Sequence, residues 1–525
     1  MKGASPSPEG PPTGRATRPG GTLGRVTSPT PQPSHRRRGD DVDVVVVGAG
    51  PNGLAAAVVC ARAGLSVEVV EAADQIGGGA RTQELTLPGF RHDVCSAVHP
   101  MAVASPFFEA FDLAAHGVEM LQPDVPYAQP LDGGRAGVAF RDLERTVEGL
   151  GVDGPAWRSL VGRLSQTWRG TADVALSDFR SLPRHPLQAA SFAAAVLEQG
   201  TPAWDLRFRE DVAPALLTGV CSHAIAPPRR LAPAAGGLWL ASLAHARGWP
   251  IPRGGSQSMM DAMADDVRAR GGIIRTGERV TSLGQLPRAR AVLLDVAPQG
   301  LLDIAGDQLP PRYRGWLERW HYGGGVCKVD YALSGPVPWE AEHLDRAGTV
   351  HLGGTRPEMQ AAERAVVAGR HAERPVVLVS QPDVVDDTRT PDERRTLWTY
   401  AHVPNGSPRD ISDQVTAQLE RFAPGFRDLV LATDVLPAAG QQEREPNNVG
   451  GDIATGAVTP WQLLMRPVPK WDPYRTPLTG VYLASASVPP GPAVHGMGGV
   501  HAAGRVLRQR FGRRVDPLDV VRDAA

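Results

Sequence analysis

The 525-residue chain is long for one core and points to two or three domains. With 42% hydrophobic and 21% charged residues it suits a globular body, and Lys+Arg 55 against Asp+Glu 56 leaves no bulk electrostatic case for nucleic acid. No apolar run reaches the ~18 residues of a membrane span, and four widely spaced cysteines with no CxxC exclude a redox dithiol and a cysteine-based zinc site.

Residues 1–40 are rich in Pro, Gly, Ser, Thr and Arg and are expected to form a disordered tail. The next stretch organises the chain. Val42 to Val47 is dense in β-branched residues and reads as a strand buried on both faces. Gly48, Gly50 and Gly53 follow, with Pro51 and Asn52 between them, and then an Ala-rich helix over Leu54–Ala63. A second strand, Ser66–Val70, ends on Glu71. Gly48 permits the tight turn, Gly50 lets backbone approach a pyrophosphate, and Gly53 lets helix pack on strand. The helix N-terminus favours phosphate, and Glu71 stands about 20 residues past the glycines, where a carboxylate accepts bonds from a ribose diol. The unit predicts dinucleotide binding without separating NAD from FAD.

A second glycine cluster, Gly77-Gly78-Gly79, precedes Arg81. It lets the chain double back on a diphosphate, with Arg81 as a phosphate partner. Leu87 to Asp93 reads as a turn into a strand. Together GAGPNGLAAA, EAADQIGGGART and PGFRHD resemble the N-terminal half of the FAD-binding domain of flavin amine oxidases and phytoene desaturases, with most likeness to the phytoene dehydrogenase-like branch. The resemblance implies FAD rather than NAD.

Residues 105–240 read as a mainly helical insertion, with Trp157, Leu160, Val161, Leu164 and Trp168 at helical spacing and a helix over Ala190–Leu197. By resemblance this insertion forms part of a substrate domain over the flavin. A helix is predicted over Ser258–Arg270, then strands at Ile273–Thr276 and Arg279–Ser282. The family places Val280 near the adenine. A β-hairpin usual in the family is missing here, and Leu286 leads quickly to Ala291–Asp295.

In Tyr322–Leu333, Val326, Lys328, Asp330 and Ala332 share one strand face, with Cys327, Val329 and Tyr331 on the other. Only three lysines occur in the chain, Lys2, Lys328 and Lys470. A lysine in an apolar strand needs a partner or a water. In flavin amine oxidases a lysine at the matching position holds a water at flavin N5, so the resemblance makes Lys328 a catalytic candidate; the competing reading is a salt bridge to Asp330 or another acid. His351, His371 and His402 are scattered without metal-ligand spacing, and no metal is expected.

Near the C-terminus, Thr479–Ser487 reads as a strand, Pro489–Gly499 as a glycine-rich loop and His501–Gln509 as a helix whose N-terminus can face the flavin pyrimidine edge. This looks like the family's C-terminal FAD motif, with Pro492-Ala493 where the family often has Gly-Gly. Ser487, Val494, His495 and Gly496 are the candidate contacts, and His495 is the side chain placed nearest the flavin; a backbone-only role for the loop is the alternative.

The fold class expected is α/β with an α+β substrate domain. A Rossmann-type FAD-binding domain is assembled from discontinuous segments (41–105, 245–304 and 440–510). An inserted substrate domain (106–244 and 305–439) carries a partly helical cap, and 511–525 form a C-terminal tail. The expected activity is removal of two hydrogens from a hydrophobic or amine substrate, with O₂ or a quinone as electron acceptor. A carotenoid-type desaturase or isomerase at a membrane surface and a non-catalytic flavin-binding scaffold are the alternatives. A cytoplasmic setting, peripheral membrane contact and a homodimer are further expectations.

Overall fold

The computed structural model describes residues 41–523; the expected tail over 1–40 lies outside them. Asp41–Val47 is the central strand of a five-stranded sheet in which every pairing is parallel. Val44, Val45 and Val46 have no exposed surface, as expected for a strand with both faces covered. On one side it pairs with Val67–Val70, which pairs with Ile273–Arg275. On the other it pairs with Arg288–Leu294, which pairs with Val481–Leu483. The sheet is therefore built from widely separated parts of the chain, as the fold-class expectation required.

The helix Pro51–Arg62 begins directly after Gly50 and packs against helices Gln257–Ala269 and Met497–Arg510. Ala55, Ala56 and Ala57 are fully buried, so only small side chains separate the helices. At the crossing with Met497–Arg510, a Cβ on Gly499 would overlap the carbonyl oxygen of Asn52. Glycine at 499 is thus what lets the two ends of this domain meet.

The second sheet has seven strands in the order Val430–Leu436, Gly325–Leu333, Arg395–Val403, Val377–Ser380, Ala347–Leu352, Val125–Leu131 and Arg135–Ala139. All pairings are antiparallel except Ala347–Leu352 with Val125–Leu131. Every residue of Gly325–Leu333 is buried. Its Cys327, Val329 and Tyr331 join a core with Val415, Leu419 and Phe422. The opposite face carries Lys328 and Asp330.

Three local expectations differ from the structure. Residues 125–139, read within a helical insertion, form the outer hairpin of this sheet; Gly133 and Gly134 both take positive φ at its turn, after a strand-forming VPYAQPL run. Arg279–Ser282 is not a strand, because Gly277 and Glu278 donate their N–H groups to the carbonyls of Ala73 and Glu71 and tie this segment to a loop instead. Where residues 511–525 were expected as a tail, Pro517–Asp523 form a helix with Val521 fully buried. Among the described residues no helix is long and apolar enough to cross a membrane.

Candidate functional site

A cavity of about 720 Å³ opens at the carboxyl ends of Asp41–Val47 and Arg288–Leu294 and runs to the seven-stranded sheet. Its first end lies where the strand order reverses, the usual ligand crevice of an open parallel sheet. Gly48, Gly50, Pro51, Asn52, Glu71, Gly78, Gly79 and Val280 all line it. Those residues come from three separate stretches of sequence, and the structure brings them together around one cavity.

The glycines fit this role by geometry. Gly48 has φ +98°, and a Cβ there would lie 2.9 Å from the Asp295 carbonyl oxygen. A Cβ on Gly50 would lie 2.8 Å from Asp295 Oδ2, and one on Gly78 would lie 3.1 Å from Gly50 Cα. Gly53 faces the turn: its N–H donates to Asp295 Oδ2 at 2.8 Å, and a Cβ would overlap the Gly48 carbonyl oxygen. Glu71 accepts from the N–H of Ala49 at 2.7 Å and of Ala73 at 2.8 Å, which fixes its carboxylate at the end of the second strand.

Two acids at this end were not among the sequence candidates. Asp295 ends the strand beside Asp41–Val47; burial, with the charges of Glu445 and Glu71, raises its carboxyl to about 8 against the pull of the Gly53 N–H. Burial and Glu71 likewise raise Glu445 to about 7, although Arg81 opposes this. Asn447 donates to the Asp295 carbonyl at 3.0 Å and accepts from the Ala297 N–H at 2.7 Å, holding the strand end in place. The available signal was an acid at the carboxyl end of a strand flanking the switch point. Arg81 turns away from the cavity: it donates to the carbonyls of Gly78 and Arg444 and stands 3.6 Å from Glu445.

The C-terminal loop contributes its backbone and small side chains. Pro492, Ala493 and Val494 line the cavity, whereas Ser487, His495 and Gly496 lie behind them. His495 Nε2 lies 3.1 Å from the Gly491 carbonyl, and Nδ1 accepts from the Met497 N–H at 3.0 Å. Burial lowers its pKa to about 4, so the ring is a neutral brace at the start of the last long helix. Ser105 Oγ donates to the His495 carbonyl at 2.6 Å. Ser487 Oγ bonds Ser485 Oγ at 2.7 Å, and a Cβ on Gly496 would lie 2.7 Å from the Phe107 ring.

At the far end, the wall is formed by Thr349, Leu378, Ser380, Trp398 and Tyr400 of the seven-stranded sheet. Helices Val212–Cys221 and Leu231–Ala246 roof it with Val220, Trp239 and Leu240. Lys328 is buried one layer behind: its ammonium pairs with Asp330 and lies 4.9 Å from the Trp398 ring centroid. Burial lowers the Lys328 pKa while Asp330 raises it, and Lys328 and His92 together hold Asp330 below the usual carboxylate range despite burial.

With this geometry in view, comparison with known proteins gives a consistent picture. Residues 46–112 match the NAD(P)-binding Rossmann-like domain family. The chain is 25% identical to pyridine nucleotide-disulfide oxidoreductase domain-containing protein 2 of Rattus norvegicus, over 93% of this chain and 98% of that one. It is 28% identical to phytoene dehydrogenase of Streptomyces griseus, over 79% of this chain and 82% of that one. Cyclohexylamine oxidase from Brevibacterium oxydans superposes with a TM-score of 0.55 at 16% identity, covering 92% of this chain and 99% of that one. The chain thus shares the fold of cyclohexylamine oxidase and is similar along most of its length to proteins named as an oxidoreductase domain-containing protein and a dehydrogenase.

Proposed function

We propose that the chain is an FAD-dependent oxidoreductase that removes two hydrogens from a hydrophobic or amine substrate. One observation carries this reading: a single cavity joins the glycine-lined crevice of the parallel sheet to an enclosed end walled by the second sheet and its helices. Its volume lies within the roughly 300–1,000 Å³ of ligand clefts. The residues present fit a flavin dinucleotide. Gly48, Gly50 and Gly78 pack so closely on Asp295 and on one another that the crevice here presents bare backbone, Glu71 ends the second strand where a ribose would lie, and the raised pKa values of Asp295 and Glu445 keep charge low where a diphosphate would lie.

When bound, the flavin would supply the two-electron chemistry, taking hydride at N5. The protein would hold it with the backbone of Gly48–Gly53, Gly78, Gly79 and Val494, with Glu71 and with Val280. His495 would brace the loop through Gly491 and Met497, and the positive end of helix Met497–Arg510 would favour negative charge at the flavin N1–O2 edge. The apolar far end would exclude water from the reacting atoms. O₂ or a quinone would take the electrons onward, and the setting would be cytoplasmic.

The purified chain should carry flavin absorbance and bleach anaerobically with a substrate from an amine and polyene screen. A chain that keeps flavin but bleaches with none would instead be a scaffold. A colourless chain that refuses added FAD ends the reading.

Lys328 is expected to act beside the reacting end through Trp398. Lys328→Met should slow flavin reoxidation by O₂, measured by stopped flow; unchanged reoxidation would remove the lysine from the mechanism. The substitution also leaves the buried Asp330 with only His92 beside it, at a cost of about 3–5 kcal/mol, so Lys328→Met with Asp330→Asn should recover the melting temperature without recovering the rate.

One observation favours a second reading, action at a membrane surface. Leu182, Leu187 and Trp471 are 93%, 85% and 78% exposed. Arg180 donates to the carbonyls of Lys470 and Trp471, drawing two of these segments together. The chain should then sediment with anionic phosphatidylglycerol vesicles, and Leu182→Ser with Trp471→Ser should release most of it; no sedimentation of the parent chain removes this reading.

A further inference from the structure

The seven-stranded sheet sets Asp330, Trp398, Ser380, Thr349 and Tyr127 side by side across five strands. Residues in register share a face. All five are more than nine-tenths buried. Each has a polar atom without a protein hydrogen-bond partner: Asp330 Oδ2, Trp398 Nε1, Ser380 Oγ, Thr349 Oγ1 and the Tyr127 hydroxyl. The middle three, Trp398, Ser380 and Thr349, line the far end of the cavity.

An unpaired buried hydroxyl or indole N–H costs about 1–3 kcal/mol, and native proteins leave few of them. Three neighbours on one wall mark a place where a ligand supplies the missing partners. The chemistry of that ligand follows from the donors. Indole Nε1 can only donate, so it requires an acceptor; the two hydroxyls donate or accept. The acids that line the cavity, Glu71, Glu278, Asp295, Asp303 and Glu445, all belong to the dinucleotide side, so nothing at the far end matches a cation. No charged basic side chain matches an anion there either: the ammonium of Lys328 is engaged by Asp330, and burial lowers His99 to about 4 and His223 to about 3, so both imidazoles are neutral. Opposite the row the wall is mostly apolar, with Met101, Val220, Trp239, Leu240 and Trp249, joined by the neutral imidazole of His223.

We infer that this end is a subsite for an uncharged oxygen function, a hydroxyl or carbonyl, on an otherwise apolar substrate. The inference rests on the proposed function for its premise that the far end receives the substrate, and it selects within that reading an oxygenated apolar molecule over a plain hydrocarbon or an amine.

The test uses the full chain and three probes with one carbon skeleton: geraniol, the hydrocarbon myrcene, and geranylamine. Calorimetry should show geraniol bound at least about tenfold more tightly than either of the others, the factor lost with one buried hydrogen bond. Ser380→Ala and Thr349→Val should each lower geraniol affinity about tenfold and leave myrcene affinity unchanged, and Thr349→Ser should restore the geraniol preference. Equal binding of geraniol and myrcene, tightest binding of geranylamine, or folded variants that bind geraniol like the parent would each overturn the inference. Visible absorbance of the same samples separates the two claims. Colourless protein that still prefers geraniol ends the FAD reading alone, and flavin-loaded protein that does not discriminate ends the subsite alone.

Discussion

Gly53→Ala is expected to strip the protein of bound flavin and to lower its stability by about 3 kcal/mol, the upper end for overpacking at a site that cannot relax. Relaxation is blocked on each side. The added methyl would meet the Gly48 carbonyl oxygen, which is backbone and cannot rotate away. Gly48 is itself wedged against the Asp295 carbonyl, and the Gly53 N–H is held by Asp295 Oδ2. Moving the helix Pro51–Arg62 to make room would break its close crossing at Gly499. A control is available in Gly149, where a Cβ would meet nothing within 4 Å and φ is not positive. Gly149→Ala should melt as the parent does and keep full flavin. Thermal melting and flavin content per chain measure both effects; a Gly53→Ala protein that melts normally and stays yellow would show that this turn does not bind the cofactor.

The second large effect is a dependence on pH. Asp295 and Glu445 are raised to about 8 and about 7, first by burial. Between the ordinary carboxyl range and these values the folded chain holds protons that the unfolded chain has released. Stability is therefore greatest at or below the ordinary carboxyl range and declines from there as pH rises, until it levels off above about 7 for Glu445 and about 8 for Asp295, with a slope approaching about 1.4 kcal/mol per unit for each group. Asp295→Asn keeps an oxygen to accept from the Gly53 N–H and can never ionise. It should match the parent near pH 4, pull steadily ahead of it up to about pH 8, and keep a constant lead above that. Flavin retention should follow the same course, because a second negative charge then no longer arises beside the phosphate crevice. Denaturant titrations from pH 5 to 9 decide it: parallel curves for the two proteins would remove Asp295 as the titrating group.

The parts of this molecule legible in the sequence are those whose chemistry is local. Val42–Glu71 contains its own strand, turn, helix and terminal acid, and the structure reproduces it as the central pair of strands with their connecting helix. The two faces of Gly325–Leu333 followed from alternation alone, and the ion pair of Lys328 with Asp330 was one of the two partners foreseen for that lysine. What escaped depends on neighbours distant in sequence. Asp295 looks like any residue ending a strand until Leu294 is found beside Val47. Trp398, Ser380 and Thr349 form a row only once three strands are in register. The last helix was overlooked for a different reason: its cap, Asp516 accepting from the Leu518 N–H at 2.9 Å, was visible, but the segment is too short for periodicity to declare itself.

The dinucleotide crevice is closed by Val481–Leu483 and by the crossing of Asn52 with Gly499, so its first wall leaves the ribosome more than 400 residues before its last. Pairings of such long sequence separation form late and slowly. For most of its synthesis the nascent molecule displays Val44–Val47 with no complete sheet to cover them. A crevice built this way is complete only once Gly499 has been synthesised and has met Asn52.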